Sequence, residues 1–292
     1  MLPPSAVNFL LTNGASVDEL LVFDLDGTLI DADERISDVT RRALHELDQR
    51  GIAWTVATGR LPQGAREALP DMRFKHPQAY KNGVLIWDLN DDRSIHTRPL
   101  DRSEFLEVCK RLDAHGINAM ANVLNDENRI GAAVRDSNNE REQRWVRYME
   151  SQAISIQRHN DFNVIEGTVF NIFALTENAR VLYMAEELAD IPGVQVYAGS
   201  DMYHDGYYWL DIHHVEGTKG DAVKYLQEQT GAKKLICFGD SDNDIAMFER
   251  ADEAYAMENG LPELKAMATQ TIGKNTDHAI AYFLADRYGF SL

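Results

Sequence analysis

Residues 20–31 read LLVFDLDGTLID, and the rest of the chain is best interpreted outward from this stretch. An apolar run leads into two carboxylates one residue apart, Asp24 and Asp26, followed at once by Gly27 and Thr28. A short apolar run bounded by turn residues predicts a buried β-strand. Two acids at the end of a buried strand repel each other, so we expect a cation to compensate them there.

The bulk composition is that of a globular protein with a strong negative charge. The chain has 292 residues, 44% hydrophobic and 26% charged, which is long enough for two domains. Its formal net charge of −18 argues against nucleic acid or an anionic membrane as a partner. The 2 cysteines lack a CxxC pattern, which favours a reducing, cytoplasmic location. The N-terminus resembles neither a signal peptide nor a membrane span, and a monomer or homodimer is expected.

Strand-like and helical patterns alternate at both ends of the chain. Strands are predicted in ELLVFDL, IAWTVAT, KLICFGD and EAYAM. Helical patterns lie between them, such as residues 37–50, which Ser37 would cap and Gly51 would end. This alternation predicts an α/β fold, a Rossmann-like core with a doubly wound parallel sheet and helices on both faces.

The middle of the chain has a different pattern, which predicts an inserted α+β domain. A helix is expected near 102–115 and another over 178–189, with strand-like runs such as INAMANVL and TVFNIFAL between them. Pairs of strands between helices favour an antiparallel sheet. We therefore expect three parts: the first part of the core at 1–84, with an N-terminal extension at 1–19; the inserted domain at 85–212; and the second part of the core at 213–292.

Polar clusters follow the predicted strands and helices of the core. In open α/β sheets, ligands bind beyond the carboxyl ends of the strands. Four clusters would meet at one crevice there: Asp24 with Asp26, the Thr58-Gly59-Arg60 stretch, Lys219 at the start of a helix, and the GDSDND stretch with Asp240 and Asp244.

The four carboxylates predict a metal and a phosphate. Asp24, Asp26, Asp240 and Asp244 would raise each other's pKa unless a cation were bound, and oxygen ligands of this kind suit Mg²⁺. With Mg²⁺ and a lysine present, a phosphate dianion becomes a favourable ligand. Gly27 would allow a sharp turn that directs backbone N–H groups toward phosphoryl oxygens.

The stretches FDLDGTL, TGR, KG and GDSDND resemble, in order, the four motifs of the haloacid dehalogenase superfamily of phosphohydrolases. The long insert, together with KNGVLIWD and AMENGLPELKAMA, is similar to the Cof-type branch with a class II, subtype B cap. The motifs cover short patches, but the layout covers nearly the whole chain. The N-terminal extension and the C-terminal GKNTDHAIAYFL depart from the usual pattern of the branch.

The resemblance implies roles for individual residues. Asp24 would be the nucleophile that forms an aspartyl phosphate, and Asp26 would protonate the leaving oxygen and then activate water. Thr58 would bind a phosphoryl oxygen, and Lys219 would orient Asp24. Asp240 would bind Mg²⁺ together with the Asp24 carboxylate and the backbone carbonyl of Asp26.

The remaining candidates have two interpretations each. Asp244 would support the metal shell, although GDSDND also resembles a loop of helix-capping acids. Asn82, with Gly83, is either a plain turn or the hinge and substrate contact that the similar family places here, with Gly59 in the same crevice. Arg60 is either a surface ion pair or a residue near the phosphate or cap, and Asn243 either positions the site or caps the next helix.

The predicted function is that of an Mg²⁺-dependent phosphatase acting on a small phosphorylated metabolite. The resemblance favours sugar phosphates as substrates and leaves nucleotides and cofactor phosphates, such as pyridoxal phosphate or flavin mononucleotide, open. A phosphomutase or phosphotransferase of the phosphomannomutase type is the alternative enzyme, and it would need cap arginines that hold a second phosphate. A protein that binds phosphometabolites without turnover is the non-enzymatic alternative. It would normally have lost Asp24 or Asp26, and both are present.

Overall fold

The structure is a computed structural model, and it describes residues 17–201 and 204–292. Most of the predicted N-terminal extension, residues 1–16, lies outside the described residues. The strands, numbered along the described chain, are β1 (Glu19–Phe23), β2 (Ala53–Val56), β3 (Gln78–Tyr80), β4 (Leu85–Asp88), β5 (Arg93–Thr97), β6 (Met120–Leu124), β7 (Ile130–Val134), β8 (Ser155–Arg158), β9 (Thr168–Thr176), β10 (Val194–Ser200), β11 (Tyr208–His214), β12 (Lys234–Gly239), β13 (Glu253–Met257) and β14 (Gln270–Ile272). The α-helices are α1 (Asp38–Arg50), α2 (Pro62–Ala68), α3 (Arg102–Ala114), α4 (Glu140–Ser151), α5 (Met184–Glu187), α6 (Lys219–Thr230), α7 (Ile245–Phe248), α8 (Pro262–Met267) and α9 (Ala279–Tyr288).

A parallel sheet forms the core, in the order β14-β13-β12-β1-β2 among the described strands. Successive side chains of a strand point to opposite faces of the sheet. Leu21 and Phe23 of β1 accordingly pack with α1, α2 and α9, whereas Leu20 and Val22 pack with α6, α7 and α8. Helices cover both faces, which confirms the predicted α/β core.

Helix α1 shows how local sequence sets the ends of an element. The Ser37 side chain accepts a hydrogen bond from the Thr40 backbone N–H at 3.2 Å, which satisfies one of the free donors at the start of the helix. Gly51 ends the helix in the left-handed region, with φ 72°. Both predicted end signals are confirmed.

A mixed sheet in the order β10-β11-β9-β6-β7-β8 forms the inserted domain within the described chain. Helices α3 and α5 pack on one face of this sheet, and α4 packs on the other through Val146. Four of the five described strand pairs are antiparallel as expected, whereas β8 pairs parallel with β7. The crossover between these two strands is α4, and a helical crossover returns the chain in the same direction.

The helix expected over 178–189 is interrupted. The structure has a 3-10 helix at Ala179–Tyr183, followed by the short α5. Val181 and Met184 are both buried, three residues apart, and a 3-10 turn places residues at that spacing on one side. With Leu188 also buried, the apolar face keeps its helical spacing although the first turn is a 3-10 helix.

Strands β3, β4 and β5 form a small antiparallel sheet that the sequence pattern did not predict. An isolated bridge between Ala57 and Ala79 connects it to the end of β2, and Ile86 packs in the core. The boundary between residues 84 and 85 stays a prediction. Since β4 packs with the core, we propose that the inserted domain begins near residue 98. No helix within the described residues is both long and apolar enough to cross a membrane.

Candidate active site

The predicted site residues lie at one edge of the core sheet. Phe23, the last residue of β1, pairs with Phe238 of β12 and with Val56 of β2. Because the strands are parallel, the residues that follow them emerge side by side. The backbone N–H of Asp24 also donates to the carbonyl of Phe238 at 2.9 Å, so Asp24 continues the line of the sheet for one more residue.

Lys219 holds two of the acids. It is the first residue of α6, whose start is capped by the Thr218 side chain accepting from the Asp221 backbone N–H. Its Nζ donates to Oδ1 of Asp24 and to Oδ1 of Asp244, at 2.6 Å each. Lys219, Asp24 and Asp244 are 1%, 4% and 0% exposed, so this ion cluster is shielded from water.

The charges in this cluster do not balance. Burial raises the pKa of Asp24 well above its usual value, and the charges of Asp244 and Asp240 raise it further, against the opposing effect of Lys219. Burial alone would lower the pKa of Lys219, but its contacts with Asp24 and Asp244 outweigh that and raise it. Lys219 therefore stays protonated, while the acids remain short of positive charge.

Asp240 and Asp244 have different surroundings. Burial and the Asp244 charge raise the pKa of Asp240 to about 6, and the Thr28 hydroxyl donates to its Oδ1 at 3.0 Å. The second oxygen of Asp244 accepts from the backbone N–H groups of Asp240 at 2.8 Å and Ser241 at 3.0 Å. Both oxygens of Asp244 thus accept hydrogen bonds. Oδ2 of Asp240 accepts none from the described residues.

The acidic cluster suggests a metal site. Carboxylate oxygens of Asp24, Asp240 and Asp244 lie within 4.8 Å of one another, and no other group of this kind occurs in the described part of the chain. Hard oxygen donors with an unbalanced negative charge fit a divalent cation such as Mg²⁺. Gly27, at φ 76°, approaches Asp240 so closely that a Cβ atom would lie 2.3 Å from its carboxylate oxygen. Only glycine therefore allows the 24–28 loop to approach this acidic cluster so closely.

Asp26 is bound by Arg60, and its side chain is more exposed than the buried acids of the cluster. The Arg60 Nε donates to Oδ2 of Asp26 at 2.8 Å, and its Nη2 donates to Glu34 at 2.9 Å. Burial would lower the pKa of Arg60, but Asp26 and Glu34 raise it overall, so the guanidinium stays charged. The structure therefore places Arg60 beside Asp26 at the rim of the site.

Thr58, Gly59, Asn82 and Asn243 form the opposite side of the crevice. Thr58 is buried, and its Oγ1 accepts from the Arg60 backbone N–H at 3.1 Å, which leaves its O–H free to donate. Asn243 donates to Oδ1 of Asn82 at 3.0 Å, and its own Oδ1 lies 3.3 Å from Nζ of Lys219. A Cβ atom at Gly59 would lie 3.1 Å from Oδ1 of Asn82, so glycine leaves space for this amide pair.

The sequence reasoning missed three residues of the site. These are Thr28, which bonds Asp240; Glu34, which bonds Arg60; and Asn259, whose Nδ2 donates to the Gly27 carbonyl at 2.8 Å. Thr28 and Asn259 both stand in motifs that were quoted for the resemblance, so the signal was present but no role was assigned. Glu34 gave no signal, since an acid in a loop is usually solvated.

Comparison with known families identifies the class of protein. A family model described as haloacid dehalogenase-like hydrolase matches residues 21–284. The match covers both parts of the core and the whole insert, so the chain belongs to that family. The order of its motifs and the inserted mixed sheet agree with this membership.

Full-length relatives narrow the class to phosphatases. The chain is 26% identical over 284 residues to 5-amino-6-(5-phospho-D-ribitylamino)uracil phosphatase YitU of Bacillus subtilis, covering 92% of this chain and 97% of the relative. It is 24% identical over 282 residues to pyridoxal phosphate phosphatase YbhA of Escherichia coli, with 91% and 97% covered. The protein is a phosphatase of the haloacid dehalogenase superfamily, Cof-type branch.

Solved structures show the same fold. A haloacid dehalogenase-like hydrolase from Bacteroides thetaiotaomicron superposes with a TM-score of 0.74 at 20% identity, covering 92% of this chain and 99% of that one. A protein from Thermotoga maritima gives a TM-score of 0.71 at 21% identity, with 92% and 97% covered. The core and the inserted domain, from here on called the cap, therefore form a known arrangement.

Proposed function

We propose that this protein is an Mg²⁺-dependent phosphomonoesterase that works through an aspartyl phosphate at Asp24. The observation that carries the proposal is the buried bond from Lys219 to Asp24, in a cluster whose remaining charge is negative. The lysine orients one carboxylate oxygen, and a metal held by Asp24 and Asp240 would supply the positive charge that a phosphate dianion requires. Asp244 would hold the lysine and the loop, since both its oxygens are engaged.

The chemistry divides between two carboxylates. Asp24 attacks phosphorus, and the bond to the leaving oxygen breaks as that oxygen takes a proton from Asp26. Asp26 then accepts a proton from water, whose oxygen attacks the aspartyl phosphate and releases inorganic phosphate. The bond from Arg60 suits Asp26 in its second role, as the carboxylate that accepts a proton from water, and Thr58 would donate its free O–H to a phosphoryl oxygen.

The proposed substrate is a small phosphorylated metabolite, with sugar phosphates first. The names of two relatives point to a phosphorylated ribityl compound and to pyridoxal phosphate, and a third is named HMP-PP phosphatase. We propose that the physiological substrate lies in this range of small phosphate esters. A screen of the purified protein against such a panel, read as phosphate release, would identify it.

The phosphomutase alternative has less support in the cap. It needs arginines that hold a second phosphate, and those of α4 lie among acidic residues: Arg141 pairs with Asp201, whereas Arg144 and Arg147 are exposed, as expected of a solvated helix face. Measuring inorganic phosphate against isomerised product separates the two activities. Release of phosphate in proportion to ester consumed supports hydrolysis, and an isomerised ester without phosphate would support the mutase.

The experiment that tests the proposal replaces the nucleophile. Asp24→Asn should abolish hydrolysis of para-nitrophenyl phosphate in Mg²⁺, because an amide neither attacks phosphorus nor binds the metal as a carboxylate does. Asp126→Asn, at an exposed acid in a cap turn, should keep full activity. Undiminished activity of Asp24→Asn would refute the mechanism. A wild-type protein that binds phosphate esters without hydrolysing any would favour the non-catalytic alternative.

A further inference from the structure

The turn at residues 81–83 has an unusual backbone. Lys81, Asn82 and Gly83 have φ values of 48°, 58° and 108°, so three consecutive residues lie in the left-handed region. Two of the three carry side chains, for which this region is unfavourable, and such strain concentrates at functional sites. The turn directs the side chains of Lys81 and Asn82 to different parts of the molecule.

On its core side, this turn is attached to the catalytic residues. The backbone N–H groups of Lys81 and Asn82 donate to the carbonyls of Arg60 at 3.1 Å and Thr58 at 3.0 Å. A Cβ atom at Gly83 would lie 2.2 Å from the carbonyl oxygen of Thr218, the residue before the catalytic lysine. Any displacement of the turn therefore moves residues 58–60, which include the proposed phosphate contact Thr58, and the start of α6.

On its other side, the turn is bound to the cap. Lys81 forms an ion pair with Asp211 of β11, and the two side chains are only 12% and 16% exposed. The second carboxylate oxygen of Asp211 accepts from Asn171 at 2.6 Å, and Asn171 accepts from Asn122 at 2.8 Å. These two amides are buried in the cap sheet, so they hold the Asp211 carboxylate in position independently of its pair with Lys81.

The two sets of contacts form one path. It runs from the cap sheet through Asp211 to Lys81, across one peptide bond to Asn82, and through Asn243 to Lys219, which bonds Asp24. We propose that Lys81 and Asp211 are positioning residues for phosphoryl transfer, whose ion pair aligns the cap with the turn that supports Lys219. This proposal rests on the proposed function, because it assumes that Asp24 is the nucleophile.

The Lys81–Asp211 pair gives the strained turn at residues 81–83 a role in positioning. The ion pair fixes the turn from the cap side, and Asn82 of the turn supports Lys219 through Asn243. An uncharged residue at either position would leave the turn without this ion pair to the cap.

The test uses Lys81→Met, Asp211→Asn and the double variant in the full-length protein. An asparagine at 211 cannot accept from both Lys81 and Asn171, so it breaks the path without changing volume. Each single variant should lower kcat/KM for para-nitrophenyl phosphate about tenfold, and the double variant should be no worse, because coupled residues act non-additively. Lys81→Arg should restore most of the activity.

Amide hydrogen exchange of the two connections, residues 98–101 and 215–218, gives a readout that does not need turnover. Exchange should accelerate in both single variants and stay unchanged in Lys234→Met, a lysine that pairs with Glu253 away from the cap. Additive losses of about a hundredfold in the double variant, or unaltered exchange, would overturn the proposal. Altered exchange in a protein without phosphatase activity would support the pair while refuting the proposed function.

Discussion

At the scale of single residues, Lys219 supplies the buried positive charge of the site. It is an ammonium group almost without exposure, and it bonds two carboxylates that would otherwise face each other. Removing one partner from a buried ion cluster leaves uncompensated charge, which is far more costly than losing a surface pair. The lysine therefore contributes to stability as well as to the proposed catalysis.

We predict that Lys219→Met destabilises the protein by about 3 kcal/mol and abolishes phosphatase activity. Urea unfolding and phosphate release measure the two effects. The matched control is Lys234→Met, whose pair with Glu253 is partly exposed, and it should cost less than about 1 kcal/mol. Equal losses of stability in the two variants would contradict the account of the buried cluster.

Asp240 predicts how stability depends on pH in the absence of metal. Its pKa in the folded protein, about 6, lies above the ordinary value of 3.8, so ionisation of this carboxyl opposes folding. The stabilisation by the protonated acid is complete below about pH 4 and is lost as the pH rises through about 6. Asp24 shifts in the same direction.

In the presence of a chelator, we expect the free energy of unfolding to fall by about 3 kcal/mol between about pH 4 and 7. Denaturant titrations at several pH values measure it. Asp240→Asn should flatten this part of the profile, because its side chain does not titrate. A wild-type stability that rises over the same interval would show that the acids are already compensated without metal.

At the scale of elements, the turn after β3 and the start of α6 are packed backbone against backbone. Gly83 has φ 108°, and a Cβ atom there would overlap the Thr218 carbonyl and come within 3.0 Å of the Ala222 side chain. Gly51, at the end of α1, also has a positive φ of 72°, but nothing lies within 4 Å of its Cβ position. Substitutions at the two glycines therefore distinguish the cost of backbone strain, present at both, from the cost of close packing, present only at Gly83.

We predict that Gly51→Ala costs about 1 kcal/mol without loss of activity. Gly83→Ala should cost at least about 2 kcal/mol more and lower kcat, because the added methyl group displaces α6 and its first residue, Lys219. Thermal unfolding and steady-state kinetics test both variants. If the two substitutions have the same effect, the contact between the turn and the helix does not matter.

Much of the element pattern follows from local sequence. The ends of α1 were predicted from Ser37 and Gly51, and strand β1 from its apolar run, because capping and burial patterns are local. The small sheet of β3, β4 and β5 was missed, since its strands are short and their pairing is set by packing against the core. The interrupted helix near 181–184 was also missed, because the neighbours that bury those side chains are distant in sequence.

At the scale of the whole molecule, net charge and site charge act together. The chain carries a formal charge of −18, so any salt screens its self-repulsion and stabilises it. A specific metal site adds a second effect, because a ligand that binds only the folded state shifts unfolding by mass action. The two effects are separable by comparing salts at equal ionic strength.

We predict that Mg²⁺ raises the melting temperature by about 5 °C more than NaCl of the same ionic strength at neutral pH. Scanning calorimetry measures the difference. Asp240→Asn should remove most of this difference and keep the response to NaCl. Equal responses of the wild type to both salts would argue against Mg²⁺ at the acidic cluster.

The sequence alone determined the class of fold, the motifs and the residues that could react, because strand pattern, capping and residue chemistry are local properties. It predicted that Asp24, Lys219 and Asp240 would meet, since the carboxyl ends of parallel strands share one edge. Only the tertiary structure decided which oxygen each donor bonds, that Arg60 bonds Asp26, and that Lys81 of the core pairs with Asp211 of the cap. Those contacts join residues far apart in the chain, and their geometry depends on how the two sheets pack, which no local pattern encodes.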